Sequence, residues 1–353
     1  MYPYFLLVFL PLIFNVCCIG CGKNKSRLKI TISLFFLLYY ILLALRAKTI
    51  GVDLSNYQSM YVGYGKSGWN KLFAVPQEIG YAVFCKLIYI TGADFQVFLA
   101  IVALIEIIPL AVLYSKEIED APLSILLFLN IGIFSMLFSG LRQSIAIALG
   151  ALAFLLLQKR KIVGYFLTVI LAMTFHMSAF MLFCMYPLYY IKISKTTFVF
   201  IIPVILVIFI FNRAVFNFIT RFLPEKYLHY TLESTNAYTM LALYVIFAIF
   251  TFYISDERKL DRDTIVLRNF LIFSVFLQIF APIQSVAMRM NYYYIIFIPL
   301  LIPKTIKNSK QGMESLCRVA EIVMISFFTV YFFYSAYFGE DILSIFPYQF
   351  FWE

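Results

Sequence analysis

Apolar residues are spread along the whole length of the 353-residue chain, and this feature most constrains its fold. Hydrophobic residues make up 63% of the sequence, charged residues 13%, and the mean hydropathy is +0.91. Soluble domains carry about 25% charged residues, whereas runs of about 20 apolar residues cross a bilayer as helices. We therefore predict an all-α, polytopic integral membrane protein that leaves no room for a sizeable soluble domain.

The apolar runs predict about twelve transmembrane helices in a single transmembrane domain, residues 1–353. A further run, 79–91, is 13 residues long and carries Lys86 near its centre. Because this run is shorter than a membrane span, we predict a re-entrant or interfacial helix there. The candidate spans are 3–21, 29–46, 95–114, 121–138, 141–157, 162–177, 178–191, 197–212, 237–254, 265–282, 291–306 and 319–338.

The distribution of Lys and Arg indicates how the spans are oriented. Cytoplasmic loops of membrane proteins carry the excess of positive charge. The turn Lys159–Lys161 and the other strongly basic loops fall on one side if segment 79–91 does not cross the membrane. Both termini then lie on the external side. That side also receives the loops 46–78 and 213–239 and the aromatic tail 339–353.

Two polar side chains lie at matching depth in the predicted helical hairpin Ser139–Ser178. Arg142 lies about 16 residues before the basic turn and His176 about 15 residues after it. At ~1.5 Å per residue, both are near the external face. His176 is either a base or hydrogen-bond donor in a site, or a structural residue bound to a backbone carbonyl.

Four arginines stand beside apolar spans on the external side: Arg46, Arg142, Arg213 and Arg289. Any one of them is explained by a side chain that extends from the span towards water. Several together on the side poorer in positive charge favour an anionic ligand. A lipid pyrophosphate is one candidate, because one guanidinium group can donate two parallel hydrogen bonds to phosphate oxygens.

Asp53 lies in the first external loop, four residues before Tyr57. On a helix these two positions share a face. A carboxylate beside the membrane surface is suited to act as a general base. The alternative is that Asp53 caps a short external helix.

Other classes of site find little support in the sequence. Cys17, Cys18 and Cys21 have no Cys or His pair at zinc spacing, and the chain holds two histidines, so we predict no metal site. The sequence contains no phosphate-binding or dinucleotide-binding glycine motif and nothing that indicates nucleic-acid recognition.

Five short motifs follow one another along nearly the whole chain: Arg46…Gly51-Val52-Asp53…Tyr57, Glu78-Ile79-Gly80-Tyr81, Leu141-Arg142-Gln143-Ser144-Ile145-Ala146, Phe175-His176-Met177-Ser178-Ala179 and Arg289…Tyr292-Tyr293. In this order they resemble the EpsG family, which comprises bacterial exopolysaccharide and O-antigen polymerases of the Wzy type. The closing Phe346-Pro347-Tyr348 is similar to the family's C-terminal pattern.

The resemblance implies a GT-C-like fold of many helices and a reaction at the periplasmic face of the bacterial inner membrane. A glycan would pass from undecaprenyl pyrophosphate to a sugar hydroxyl of a lipid-linked repeat unit. No nucleotide sugar, cofactor or catalytic metal is expected. The expected partners are undecaprenyl-pyrophosphate-linked glycans, the lipid bilayer and, by family analogy, a chain-length regulator.

The resemblance also suggests roles for individual residues. Arg142 and Arg289 would stabilise the leaving pyrophosphate, with Arg46 as a weaker third. Asp53 and His176 compete for the role of the base that accepts the hydroxyl proton. Orientation of sugar or phosphate would fall to Tyr57, Gln143 and Tyr292.

Three other membrane functions are alternatives. A flippase for lipid-linked oligosaccharides needs a cationic cavity deep between helices and a repeated architecture, whereas these cations cluster at one face. A membrane acyltransferase usually has a histidine near its N-terminus, and here none precedes His176. An O-antigen ligase shares the donor chemistry, and only the motif order argues against it.

Overall fold

A computed structural model shows that the protein is almost wholly helical. Within the ranges that it describes, the chain forms eighteen α-helices and one 3-10 segment, which confirms the predicted all-α class. The described residues are 1–17, 25–72, 78–221 and 236–353.

The helices group into two compact units. Unit 1 comprises Met1–Phe183 and Val323–Glu353, and unit 2 comprises Cys184–Ile322. The single transmembrane domain expected from the sequence stays a prediction.

Unit 1 contains the helices that surround most of the predicted site residues. They are α1 (Tyr2–Cys17), α2 (Lys25–Leu45), α3 (Leu54–Lys66), α4 (Trp69–Leu72), α5 (Ile79–Tyr89), α6 (Phe95–Glu117), α7 (Ala121–Asn130), α8 (Ile133–Ser139), α9 (Leu141–Gln158), α10 (Ile162–Phe175) and the C-terminal part of α18 (Glu314–Phe338).

Unit 2 begins within the 3-10 segment Met177–Cys184 that follows α10. Among its described residues, the most deeply buried charged side chain is Arg268, which is 1% exposed and donates a hydrogen bond of 2.6 Å to the Glu257 carboxylate. Its helices are α11 (Met185–Tyr190), α12 (Lys195–Ile210), α13 (Asn212–Thr220), α14 (Asn236–Ile254), α15 (Arg262–Gln278), α16 (Ser285–Ile295) and α17 (Ile298–Lys307).

The described helices include five that are long and apolar enough to cross a membrane. This number rises to eight if each bent helix pair counts as one span: α7–α8 bends by 54°, α12–α13 by 80° and α16–α17 by 42°. The polytopic class is confirmed, but fewer spans meet this test than the twelve that we predicted. The difference arises because several apolar runs form short or broken helices. Such helices are Tyr2–Cys17, Ile79–Tyr89, Ile162–Phe175 and Met177–Tyr190.

Helix α5 occupies the segment for which we predicted a re-entrant or interfacial helix. Its 11 residues extend roughly 16 Å at ~1.5 Å per residue, against ~30 Å for the hydrocarbon core. Lys86, in its last turn, donates hydrogen bonds to the Gly65 and Ser67 carbonyls at 2.7 and 2.8 Å. The lysine within this apolar run therefore binds the carboxyl end of α3, whose last carbonyls lack helical partners.

Helices α9 and α10 form the hairpin that the sequence predicts. The basic turn Lys159–Lys161 separates them, and the Lys161 backbone N–H closes the turn on the Leu156 carbonyl at 2.9 Å. The hairpin places the beginning of α9 and the end of α10 at the same end of unit 1, where Arg142 and His176 are found.

Candidate functional site

Arg142 lies in the first turn of α9 and is paired with a carboxylate from another helix. Its Nη1 donates to Glu78 Oε2 at 2.6 Å. The two side chains are 22% and 20% exposed, so both reach the surface of unit 1. A guanidinium has five N–H donors, and the contact with Glu78 leaves others to bind a ligand.

Glu78 connects three segments that are distant in sequence. It stands at the N-cap of α5, and its second oxygen, Oε1, accepts the Met177 backbone N–H at 3.0 Å. Burial by itself raises the pKa of Glu78. The Met177 N–H and the Arg142 guanidinium outweigh that effect and hold the pKa below its usual range. The carboxylate is therefore charged at neutral pH.

Helix α3 contributes the predicted residues Asp53 and Tyr57. Tyr57 is buried, its hydroxyl interacts with the Arg142 guanidinium, and its ring packs edge-on against Tyr81 of α5 at 5.7 Å. Asp53 occupies the N-cap position of α3, but its side chain does not cap the helix. Asp53 is half-buried and lies one turn from Tyr57, on which it acts electrostatically. Because its carboxylate does not cap the helix, it is available to the Arg142 site.

His176 is the C-cap residue of α10 and directly precedes Met177, whose backbone N–H binds Glu78. Its Nδ1 is 2.6 Å from the Ser178 hydroxyl, and its backbone N–H donates to Ala172. Nδ1 therefore contacts a side-chain hydroxyl, and the choice between a site role and a structural role for His176 stays open. His176 also lies close enough to Glu78 to influence it electrostatically.

Gly80 explains how α5 approaches α10 so closely. A Cβ added at Gly80 would lie 2.2 Å from the Thr174 Oγ1 and 2.8 Å from the Thr174 carbonyl oxygen. Any larger residue would push the two helix ends apart. The glycine after Ile79 therefore keeps Glu78 within reach of the Met177 backbone.

Arg46 lies at the end of α2 in a different environment. It is 1% exposed, and its Nη1 makes one long hydrogen bond, 3.5 Å, to the Leu137 carbonyl. The guanidinium also lies 5.4 Å from the Phe138 ring. A ligand role for Arg46 stays a prediction that this burial disfavours.

The loop after Arg46 is fixed by residues near the C-terminus. The Gly51 and Val52 N–H groups donate to Ser344 and Leu343 at 2.8 and 3.0 Å. Gly51 has φ +106°, and a Cβ there would lie 2.3 Å from the Phe138 carbonyl oxygen. Backbone hydrogen bonds to C-terminal residues thus hold the loop that leads to Asp53.

Comparison with known protein families gives one match. The model of the EpsG family matches residues 29–350, which is most of the chain. The chain belongs to the EpsG family. Searches of the curated proteins and of the solved structures gave no match. Membership of this family fits a polysaccharide polymerase, and the apolar helices make it a multi-pass membrane protein.

Three further predicted residues of this EpsG-family chain are Gln143, Arg289 and Tyr292. Gln143 is 2% exposed within α9 and unit 1. Arg289 and Tyr292 belong to unit 2, on α16, where Arg289 is exposed and Tyr292 is 5% exposed. Unit 1 thus brings together Asp53, Tyr57, Arg142 and His176.

Two carboxylates were not singled out from the sequence: Glu78 at the site and Glu106 in the interior of unit 1. Glu78 entered only as part of a family motif. It directly precedes the apolar run 79–91, and an acidic residue in such a position could have been predicted to pair with an arginine at the end of another run. Glu106 lies inside the apolar run of α6, and both of its buried carboxylate oxygens lack a hydrogen-bond partner in the described structure. An acidic residue within a membrane span is unusual enough to be noticed.

A site for a metal ion was not expected from the sequence. In the described ranges, no three His, Cys, Asp or Glu side chains are grouped so that they could hold one.

Proposed function

We propose that the protein is an O-antigen or exopolysaccharide polymerase that acts at the periplasmic face of a bacterial inner membrane. It transfers a glycan from undecaprenyl pyrophosphate to a sugar hydroxyl of a lipid-linked repeat unit. The observation that carries the proposal is a partly exposed Arg142, bound to Glu78 and Tyr57, in a chain of the EpsG family.

The reaction separates a pyrophosphate from the anomeric carbon of the donor sugar. The acceptor oxygen forms a bond to that carbon, the bond to the phosphate oxygen breaks, and the hydroxyl proton passes to a base. The leaving pyrophosphate gains negative charge, which a fixed cation stabilises. Arg142 has this role in our proposal, and the same role for Arg289 stays a prediction from the family resemblance.

The acceptor hydroxyl requires a base or an orienting acceptor within hydrogen-bond reach. Asp53 and His176 both border the Arg142 site, as described above, and we retain both for this role. Tyr57 is the orienting residue, because its hydroxyl is already held at the guanidinium.

A gene-deletion strain tests the proposed function. We expect its lipopolysaccharide or capsule precursor to carry a single repeat unit, where the wild type shows a ladder of polymer lengths on a gel. Complementation with Arg142→Ala or Arg289→Ala should reproduce the single unit at normal protein level. Arg258→Ala is the matched control, because Arg258 is an exposed arginine in a basic loop.

Two results contradict the proposal. A normal ladder from both Arg142→Ala and Arg289→Ala would remove these residues from the site. Loss of the single unit as well as the ladder in the deletion strain would indicate a flippase instead. If the protein were an O-antigen ligase, the deletion strain would still form polymer on its lipid carrier, but the polymer would not reach its final acceptor.

A further inference from the structure

The Glu78 carboxylate is the point at which three backbone segments of unit 1 meet. One oxygen binds the Arg142 guanidinium at 2.6 Å and the other binds the Met177 N–H at 3.0 Å. Glu78 itself precedes α5, and Gly80 allows that helix to contact Thr174. This one side chain therefore binds Arg142 directly and fixes the backbone next to His176.

The contact also restricts how Arg142 presents its donors. A free arginine side chain has many rotamers, and ordering a long side chain costs conformational entropy. In the structure Glu78 binds the guanidinium at Nη1, the Tyr57 hydroxyl interacts with it, and 22% of the side chain stays exposed. Orientation before the ligand arrives removes that entropic cost from the reaction step.

We infer that Glu78 is a positioning residue, which aims Arg142 at the leaving pyrophosphate and fixes the backbone beside His176. This inference rests on the proposed function and adds a residue to the same site. Glu78 acts through Arg142 and Met177, and it does not itself touch the reacting atoms.

A role for Glu78 as the base fits the structure less well. Both of its oxygens already accept hydrogen bonds. Its pKa is held below the usual range, despite burial, by the Met177 N–H and Arg142. A carboxylate with a lowered pKa accepts a proton weakly near neutral pH.

The test uses the purified full-length protein in lipid nanodiscs with lipid-linked repeat units extracted from the deletion strain. Turnover and KM are measured for wild type, Glu78→Gln, Arg142→Ala and the control Glu314→Gln, which changes an exposed glutamate in the first turn of α18. Glu78→Gln retains the shape but weakens the charge-assisted contacts. We expect it to lower kcat by about 10- to 100-fold with little change in KM, and Glu314→Gln to match wild type.

A charge exchange separates positioning from simple stabilisation of the fold. The double variant Glu78→Arg with Arg142→Glu retains opposite charges at the two positions but moves the cation from α9 to α5. We expect the double variant to recover the melting temperature lost in Glu78→Arg without recovering turnover. Recovery of both would show that the ion pair only stabilises the fold, and this result would overturn the inference.

The outcomes distinguish the inference from the function on which it rests. If Arg142→Ala is inactive while Glu78→Gln turns over like wild type, the positioning role is wrong and the proposed function stands. If Glu78→Gln lowers KM, Glu78 competes with the substrate for Arg142, and the positioning role is again wrong. If Arg142→Ala turns over like wild type, the proposed pyrophosphate site and the role of Glu78 both fail.

Discussion

Arg142 and Arg46 lie in the same compact unit, but they differ in exposure and in partners. Arg142 is 22% exposed and has a carboxylate at 2.6 Å. Arg46 is 1% exposed, and its nearest described acceptor is a backbone carbonyl at 3.5 Å. From the sequence alone, both are external arginines at the ends of apolar runs.

The difference shows which arginine is able to meet a ligand. A ligand at Arg142 would replace water on a surface that is already open. A ligand at Arg46 would have to displace the Phe138 ring and the loop that Ser344 holds. Arg46 also lies close enough to the buried Glu106 for the two side chains to interact electrostatically. Its environment therefore indicates a structural role.

The largest effects are expected when each of the two arginines is replaced by alanine. Arg142→Ala should lower the rate of polymerisation by about 10²- to 10³-fold with a small change in thermal stability, the cost of losing one fixed donor at a developing negative charge. Arg46→Ala should destabilise the fold by on the order of 3 kcal/mol, because it removes a fully buried side chain that packs on the Phe138 ring and leaves a cavity.

Rates per folded molecule and melting temperatures of both purified variants measure this contrast. The folded fraction of Arg46→Ala should polymerise at nearly the wild-type rate. The distinction between the two arginines fails if Arg46→Ala melts like wild type and is inactive.

A smaller effect is expected from the tyrosine beside each arginine. Tyr57→Phe removes the hydroxyl that interacts with Arg142 and should lower the rate about tenfold, because hydrogen bonds to charged groups contribute about 1.5–3 kcal/mol. Tyr348→Phe removes a hydrogen bond of 2.8 Å to the Leu42 carbonyl near Arg46 and should cost about 1 kcal/mol of stability, with an unchanged rate.

The two Phe variants are assayed side by side for turnover and melting temperature. Equal effects on turnover would mean that the site extends to Arg46. The absence of a rate effect in Tyr57→Phe would remove Tyr57 from the orienting role.

The smallest effect is a pH dependence of stability that arises from Glu78 in the Arg142 region. Because the pKa of Glu78 is lowered in the folded protein, the stability it contributes is present above the ordinary value of 4.5. It is lost as the pH falls through the folded-state pKa. For a partly exposed pair we expect under about 1 kcal/mol. Melting temperatures between about pH 7 and about pH 4 should fall less in Glu78→Gln than in wild type; an equal fall would assign the acid sensitivity to other carboxylates.

Much of the fold follows from the sequence, since a membrane requires backbone hydrogen bonds to be made within helices. The hairpin around Lys159–Lys161 and the short helix over 79–89 were both predicted in outline. The breaks within 121–139 and the 3-10 segment after His176 were not, because hydropathy records composition without helix geometry.

The site was less accessible to sequence reasoning. Asp53, Tyr57, Arg142 and His176 carry polar groups at the ends of apolar runs, so they were recognisable as candidates. Glu78 links Arg142 to the backbone beside His176, and Tyr57 links Arg142 to Asp53; these links depend on how α3, α5 and the hairpin pack, which no local pattern records. The burial of Arg46 similarly depends on residues about 300 positions away.

The bonds between residues 343–350 and the loop after Arg46 have a consequence for the timing of biosynthesis. The two segments are separated by about 300 residues, as in the contact between Tyr348 and Leu42. At ~5–20 residues translated per second, the loop waits roughly 15–60 s for its partner. During this interval the first helices are already synthesised while the loop lacks the hydrogen bonds that fix it. The hydrogen bonds that hold this loop therefore form only after nearly all the described helices have been translated.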